Sequence, residues 1–311
     1  MVKKLNGLQL VQRYRKLLRL SETCPLNEAM VWKHWHVERA LAQKILHSSP
    51  NDRPRITQWA YRQFYKELPW LKDPKFMAVQ DPIQKRESPI IQLIGSKPQR
   101  ILEIGSGTGE LIQFLSQHGH WCIGTDLIKD RFFKKFRTPH LSFMEIDGVR
   151  LPMKKLSPLV DVVISSNVIE HFHPEDLDIH FQAVYQVLRP GGQYILKTPH
   201  GLFGPHGIEK VFGVRFSCGL HLHEYSFLEI QKAGEKNGFK SISAVFVWPR
   251  PLQKILGKWG RGVKTSTFYF KYLCGWEKIV RLINDRIFKD YFLFFLRFAF
   301  FPRQIFVILS K

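Results

Sequence analysis

The hydrophobic rhythm of the chain changes twice, and each regime predicts a different kind of structure. From Leu5 to about Leu71 apolar residues recur at helical spacing. Leu8, Val11, Tyr14, Leu17 and Leu18 form one run, and Trp32, Trp35, Val37, Ala40, Leu41 and Ile45 form the next. The cluster Pro50-Asn51-Asp52-Arg53-Pro54 separates these from a further helix over Ile56–Leu68, and Asp73-Pro74 and Asp81-Pro82 mark a loop. From Gln99 short β-rich runs alternate with amphipathic stretches. Strands are predicted over Arg100–Ile104, Trp121–Thr125, Leu141–Ile146, Val160–Ser165, Gln193–Lys197 and Lys240–Trp248, with helices at Leu111–Gln117, Ile179–Leu188 and Ser226–Asn237. That alternation implies an α/β fold with a mainly parallel sheet and crossover helices. A long aromatic insertion then precedes one last strand, Gln304–Leu309.

Composition narrows the class. In 311 residues, 44% are hydrophobic, with 25 Phe and 8 Trp, so a filled core is expected and wholesale disorder is not. Cys24, Cys122, Cys218 and Cys274 are scattered without a C-x-x-C pair, which argues against a zinc ribbon or a disulfide framework and suits a reducing cytosol. The basic N-terminus threads charges through its apolar residues and lacks a secretory h-region. No window of 18 uncharged apolar residues exists, and the closest approach, Tyr291 to Phe301, is interrupted by Arg297. A cytoplasmic protein is expected.

The net charge of +21 is unevenly placed. Residues 1–100 hold 19 Lys+Arg against 8 Asp+Glu, residues 101–249 hold 15 against 15, and residues 250–311 hold 13 against 3. All the excess lies in the two flanks, where it concentrates anionic partners, either nucleic acid or an acidic membrane face. The alternative is a basic surface with no partner.

The run Ile101-Leu-Glu-Ile-Gly-Ser-Gly-Thr-Gly-Glu110 carries the strongest chemical signal. An apolar strand runs into three alternating glycines, where backbone can turn sharply and press on a ligand with no Cβ in the way. A dinucleotide fingerprint would need Gly at position 110, where Glu110 stands, and that carboxylate at a helix start would repel a pyrophosphate. No G-x-x-x-x-G-K-[ST] run occurs.

The segment Glu103 to Gly109 resembles motif I of class I S-adenosylmethionine-dependent methyltransferases. The resemblance implies a Rossmann-like, seven-stranded, mostly parallel sheet with helices on both faces and a reversed last strand. It also implies S-adenosyl-L-methionine as cofactor, with Glu103, Gly105, Ser106, Gly107 and Gly109 forming the loop that packs on its methionine part. Asp126, followed by Leu127, ends the second strand about 20 residues on, where a carboxylate accepts the ribose hydroxyls. Asp147-Gly148 ends the third strand, at the family's adenine contact. Asn167 closes the fourth strand at the methionine end, and Leu188-Arg-Pro-Gly-Gly192 matches the turn before strand five. The pieces HPEDL, LRPGG, TPHGLFGPHG and HLHEYS also resemble a narrower group that methylates metabolites, lipids or glycans. Two base-methylase signatures are missing: Asn167 is followed by Val-Ile-Glu rather than Pro-Pro-aromatic, and no Cys lies between 122 and 218 to supply a Pro-Cys nucleophile.

Seven of the thirteen histidines fall between 171 and 223. His171 follows strand four and His200 follows strand five, so both are catalytic candidates at the carboxyl ends of strands, suited to taking a proton from a hydroxyl. Alignment of nucleophile, methyl and sulfonium could instead suffice without a base. His173 and His180 are expected to face solvent. The segment Gly201–Gly219 with HLHEYS could fold over the cleft as a lid. H-x-H occurs twice, at 171/173 and 221/223, but the ligand set is incomplete on paper and no metal is expected.

Residues 268–306 hold ten of the 25 Phe. A helix from Lys278 to Phe301 would align Lys278, Arg281, Asp285, Lys289 and Arg297. It would either lie in a membrane interface or, the preferred reading, cap the sheet and wall the acceptor pocket. The N-terminal helices with Trp32, Trp35, Trp59 and Tyr61 offer a second wall. The expected organisation is a helical basic extension over 1–87, a methyltransferase core over 88–250, an aromatic helical insertion over 251–303 and the last strand over 304–311. The expected reaction is methyl transfer to a small-molecule or lipid-like acceptor, O-methylation first, with peripheral contact to anionic membrane through the flanks. An RNA or DNA methylase, and a non-catalytic cofactor-binding scaffold, are the rivals.

Overall fold

The computed structural model describes residues 6–129, 138–248, 255, 262–296 and 301–311. Alternation within the central strands decides the layers. In β1 (Arg100–Ile104), Leu102 and Ile104 join one core cluster and Ile101 the opposite one, as a sheet covered on both faces requires. β2 (Trp121–Asp126), β3 (Leu141–Glu145), β4 (Val160–Ser166) and β5 (Leu188–Pro199) extend the sheet in parallel. β6 (Ser241–Phe246), β7 (Lys264–Ser266) and β8 (Gln304–Ser310) complete the order β3-β2-β1-β4-β5-β8-β6-β7. β8 runs antiparallel to both of its neighbours, so the seven expected strands, the reversed last one among them, are present. The short edge strand β7 is an eighth, unforeseen because Lys264-Thr265-Ser266 carries no apolar alternation.

Three helices precede the core. α1 (Gly7–Leu18) and α2 (Glu28–Leu46) begin where Asn6 and Asn27 side chains accept the N–H groups of Gln9 and Met30. α3 (Arg53–Glu67) begins with Pro54 in its first turn. They form their own apolar cluster, closed by Ile208, Val211, Phe212, Leu220 and Leu222 from the segment after β5. The short α4 (Ile83–Arg86) leads into α5 (Ser88–Ile94), which with α6 (Glu110–Gln117) covers one sheet face. α7 (Leu177–Val187) and α9 (Phe227–Lys236) cover the other, with the short α8 (Glu209–Phe212) between them in sequence. Ser226 and Glu229 close a reciprocal capping box at the start of α9.

The aromatic insertion differs from the expected single helix over Lys278–Phe301. It contains α10 (Thr267–Leu282) and α11 (Arg286–Leu296). The break has a local cause. Asp285 turns its side chain back to accept the Phe288 N–H at 2.6 Å, starting a new helix. Arg297 of the expected basic stripe lies outside the described residues. Phe270, Leu273, Val280, Leu293 and Leu296 cap the sheet as expected, but among the described residues none of either helix lines the cavity at the ends of the parallel strands.

One buried ion pair fastens the N-terminal helices to the core. Arg53 (3% exposed) donates to Asp176 (3% exposed) at 2.6 Å and to Glu175 at 2.8 Å. Removing the guanidinium strands a buried carboxylate, and breaking such a pair costs about 3–5 kcal/mol. Arg53→Ala should lose stability on that scale in urea titration. A loss under about 1 kcal/mol, the range of surface pairs, would show that the pair does not hold the two parts together.

Candidate functional site

The bend after β1 is bare backbone held at both ends. Gly105, Gly107 and Gly109 all have positive φ, at 68°, 56° and 81°, a region that L side chains enter only at a cost. A Cβ on Gly105 would stand 2.4 Å from Cγ2 of Val168. The Ser106 N–H donates to the Thr125 carbonyl at 2.8 Å, and the Gly107 N–H donates to Oδ2 of Asp126 at 2.9 Å. The end of β2 therefore fixes the loop. At the end of β3, Asp147 Oδ1 accepts the N–H groups of Val149 and Arg150, at 2.9 and 3.0 Å. Gly148 (φ 72°) lets Ile104 approach to where its Cβ would be. Asn167 at the end of β4 is left-handed (φ 55°) and anchors its N–H on the Lys197 carbonyl at 2.8 Å. Strain at a non-glycine residue of this kind clusters at functional sites.

These strand ends meet in a cavity of about 540 Å³, within the usual range for small-molecule sites. Gly105, Gly107, Asp126, Leu127, Asp147, Gly148 and Asn167 line it. Glu103, Ser106 and Gly109 do not: Glu103 lies in the strand before the bend, and Ser106 and Gly109 belong to the bend without lining the cavity. Glu103 is 6% exposed and its Oε2 has no hydrogen-bond partner among the described residues. Burial, with the charges of Glu87 and Asp126, pushes its carboxyl up to about 8, which favours its neutral form.

The two catalytic candidates separate. His171 lines the cavity, and its Nδ1 donates to the Leu220 carbonyl at 2.8 Å. His200 does not reach it. His200 is fully buried among the rings of Phe203, Phe227 and Phe301, 3.8 Å from Glu277. Burial holds its pKa below the usual histidine value. The backbone of β5 delivers it into the core rather than the cleft. The expected exposure of His173 and His180 also fails. His173 is part-buried on the cavity wall, and His180 is fully buried between the Gly148 carbonyl and the Tyr194 hydroxyl, at 2.8 and 2.7 Å.

Away from the bend the walls turn apolar. Tyr61, Phe64 and Tyr65 of α3 line the cavity together with Leu17, Leu18 and Met77, so the N-terminal helices form part of its wall. Tyr61 was expected there. Trp32 and Trp35 pack on Phe212 instead, and Trp59 lies at the surface under Lys44. The buried Tyr61 hydroxyl has no hydrogen-bond partner among the described residues. Above the wall a polar relay runs inward: Trp70 donates to Tyr14 at 2.8 Å, and Tyr14 meets His34 at 2.8 Å. His34 in turn meets Glu38 at 2.5 Å, and Glu38 accepts the Leu220 N–H at 2.8 Å. Within the expected lid, Glu224 joins its two parts by holding His206 at 2.9 Å and His221 at 3.0 Å. Burial works against that carboxylate's charge, but the two histidine hydrogen bonds outweigh it and bring Glu224 down to about 2. His34, Glu38, Glu170 and Tyr65 were not singled out from the sequence. The i, i+4 spacing of His34 and Glu38 was the one legible signal.

Glu103 makes a pH prediction. Its folded pKa stands above the unfolded value of about 4.3, so the folded state binds the extra proton and stability falls as pH rises from about 4.3 to about 8. Glu103→Gln should flatten that fall in denaturant titrations at stepped pH. Parallel wild-type and variant curves would place a charged carboxylate there.

A family model described as a methyltransferase domain matches residues 36–244. The human mitochondrial ubiquinone biosynthesis O-methyltransferase is 25% identical over 232 residues, 69% of this chain, and the match spans only 60% of that relative's length. The Brucella anthropi protein of the same name, without the mitochondrial designation, is 25% identical over 180 residues, 55% of this chain and 70% of that one. Among solved structures, an S-adenosylmethionine-dependent methyltransferase from Mesorhizobium loti superposes with a TM-score of 0.46 at 16% identity, covering 74% of this chain and 98% of that one. With the glycine bend, the strand-end carboxylates and the reversed last strand in place, the chain belongs to the class I, Rossmann-like methyltransferase family.

Proposed function

We propose that this protein transfers the methyl group of S-adenosylmethionine to an oxygen of a small molecule with an apolar body. The observation that carries the proposal is a single cavity whose two halves differ in chemistry. One half is bare glycine backbone flanked by Asp126 and Asp147, and the other is walled by Tyr61, Phe64, Tyr65 and Leu18. The cofactor's methionine would lie along Gly105–Gly109, its ribose on Asp126 and its adenine by Asp147 and Gly148. A carboxylate offers about four lone-pair sites, so Asp126 can hold both the Gly107 N–H and the ribose. The names of the human and Brucella relatives favour oxygen as the atom methylated.

In the reaction the acceptor hydroxyl gives up its proton to solvent water, and an oxygen lone pair forms the new bond to the methyl carbon. The carbon–sulfur bond breaks, and its electrons remain on sulfur as S-adenosylhomocysteine. The methyl is already activated by the sulfonium, so alignment supplies much of the acceleration. His171, between the two halves, would hold the acceptor hydroxyl in line.

The surface supports peripheral contact with an anionic membrane. Phe268, Leu282, Phe288, Tyr291 and Phe295 on α10 and α11 are each more than half exposed, in a segment with 13 basic and 3 acidic residues. Rings that enter the interface beside cations that meet headgroups suit such contact. Among the described residues, no helix is long and apolar enough to cross a membrane.

Two measurements test these readings. Charged hydrogen bonds contribute about 1.5–3 kcal/mol each, so Asp126→Ala should weaken S-adenosylhomocysteine binding at least tenfold in calorimetry, with circular dichroism unchanged. Unaltered affinity would place the ribose elsewhere. Co-sedimentation with phosphatidylserine-containing vesicles should exceed that with phosphatidylcholine vesicles and fall for Phe288→Ser/Phe295→Ser. Equal sedimentation of the double variant would remove the role of α11.

A further inference from the structure

We propose that Glu170, His171 and His221 bind one divalent first-row transition ion at the acceptor end of the cavity. No single stretch of sequence contains this site. Neither H-x-H pair forms it. One histidine from each pair meets a carboxylate from the end of β4 when the lid segment folds over the cleft. The candidate ligand atoms of the three residues all lie within 4.8 Å of one another. A tetrahedral ion with bonds of about 2.0–2.2 Å holds its ligands roughly 3.4 Å apart, so small side-chain rotations close the set.

Three observations point to an ion rather than a chance cluster. First, Glu170 is fully buried, yet only one of its oxygens is satisfied: Oε2 accepts the Thr198 hydroxyl at 2.9 Å, and Oε1 has no hydrogen-bond partner among the described residues. A buried carboxylate oxygen left unpaired is costly.

Second, both imidazoles are turned by an acceptor behind them. His171 donates through Nδ1 to the Leu220 carbonyl at 2.8 Å, and His221 meets the Glu224 carboxylate through Nδ1 at 3.0 Å. In the neutral ring this places the lone pair on Nε2. Outer carbonyl and carboxylate partners of this kind orient metal-ligating histidines. Third, both rings line the cavity, with centroids 4.9 Å apart, and three protein ligands leave coordination positions open to a ligand entering it.

The donor set selects the ion. Two imidazoles and one carboxylate suit Zn²⁺, Co²⁺ or Fe²⁺ and disfavour Mg²⁺ or Ca²⁺, which prefer all-oxygen shells. The ion's chemical role, though not its binding, rests on the methyl-transfer reading. An acceptor hydroxyl on the open position would become more acidic, as metal-bound water does. Its proton would leave to solvent water while its oxygen stays aligned with the methyl.

The competing arrangement needs no ion. Burial would lower the pKa of His221, but Glu224, Glu170 and Glu38 outweigh it and lift it to about 8, so a protonated His221 could pair with Glu170 directly. Cobalt(II) titration of the full chain near neutral pH separates the two. The ion site predicts one equivalent bound, with the visible absorption of a four- or five-coordinate ion. Affinity should fall at least tenfold in Glu170→Gln, His171→Ala and His221→Ala, each checked for folding by circular dichroism. No stoichiometric uptake by the wild type, or uptake unchanged in all three variants, would overturn the proposal in favour of the protonated pair. S-adenosylhomocysteine calorimetry on the same samples keeps the two readings apart. Cobalt binding without nucleoside binding would sink the methyl-transfer reading and leave the ion site standing. The reverse would sink the ion site alone.

Discussion

The constraint on which the rest of the structure depends is the absence of side chains where β1 ends. Gly105 occupies a backbone region closed to most residues, against Val168, in a space with no room for even one more carbon. That close approach couples the ends of β1 and β4, and the Asp126 carboxylate couples β1 to β2 through the Gly107 N–H. Three strand ends are therefore set relative to one another by side chains of two of them resting on the bare backbone of the third. A ligand placed there meets a preformed surface rather than one it must organise, which lowers the entropic cost of binding.

The apolar half of the cavity is built by a different principle. Parts distant in sequence converge on it and are joined by buried polar links. Arg53 ties α3 to Asp176, and Glu38 carries the relay from Trp70 to the Leu220 N–H. Glu224 gathers His206 and His221 within the lid itself. Each link leaves a buried charge exposed to its full desolvation cost if broken. The pocket's shape and the attachment of the N-terminal helices are thus one property.

Legibility in the sequence followed the range of the interactions. The strands and the glycine bend were readable because alternation and backbone demands are local. Asp126 and Asp147 were readable because they end predicted strands at the places where the methyltransferase resemblance puts its acidic residues. His200 was misplaced because a position after a strand does not say which way the side chain leaves it, and the Phe203–Phe227–Phe301 cage that receives it comes from three separate segments. The break at Asp285 escaped because apolar residues continue on both sides of it, while a short side chain begins the next helix. Glu170 and His221, about 50 residues apart, share no local pattern, and only the folded lid brings them together.

A crystal structure of the full chain grown with S-adenosylhomocysteine tests the central claim most directly. The account requires the nucleoside to lie against Gly105–Gly109 with its ribose on the second-strand carboxylate and its sulfur turned toward His171 and the aromatic wall of α3. Density for the nucleoside in another groove, or a bend that stays empty at saturating ligand, would contradict it.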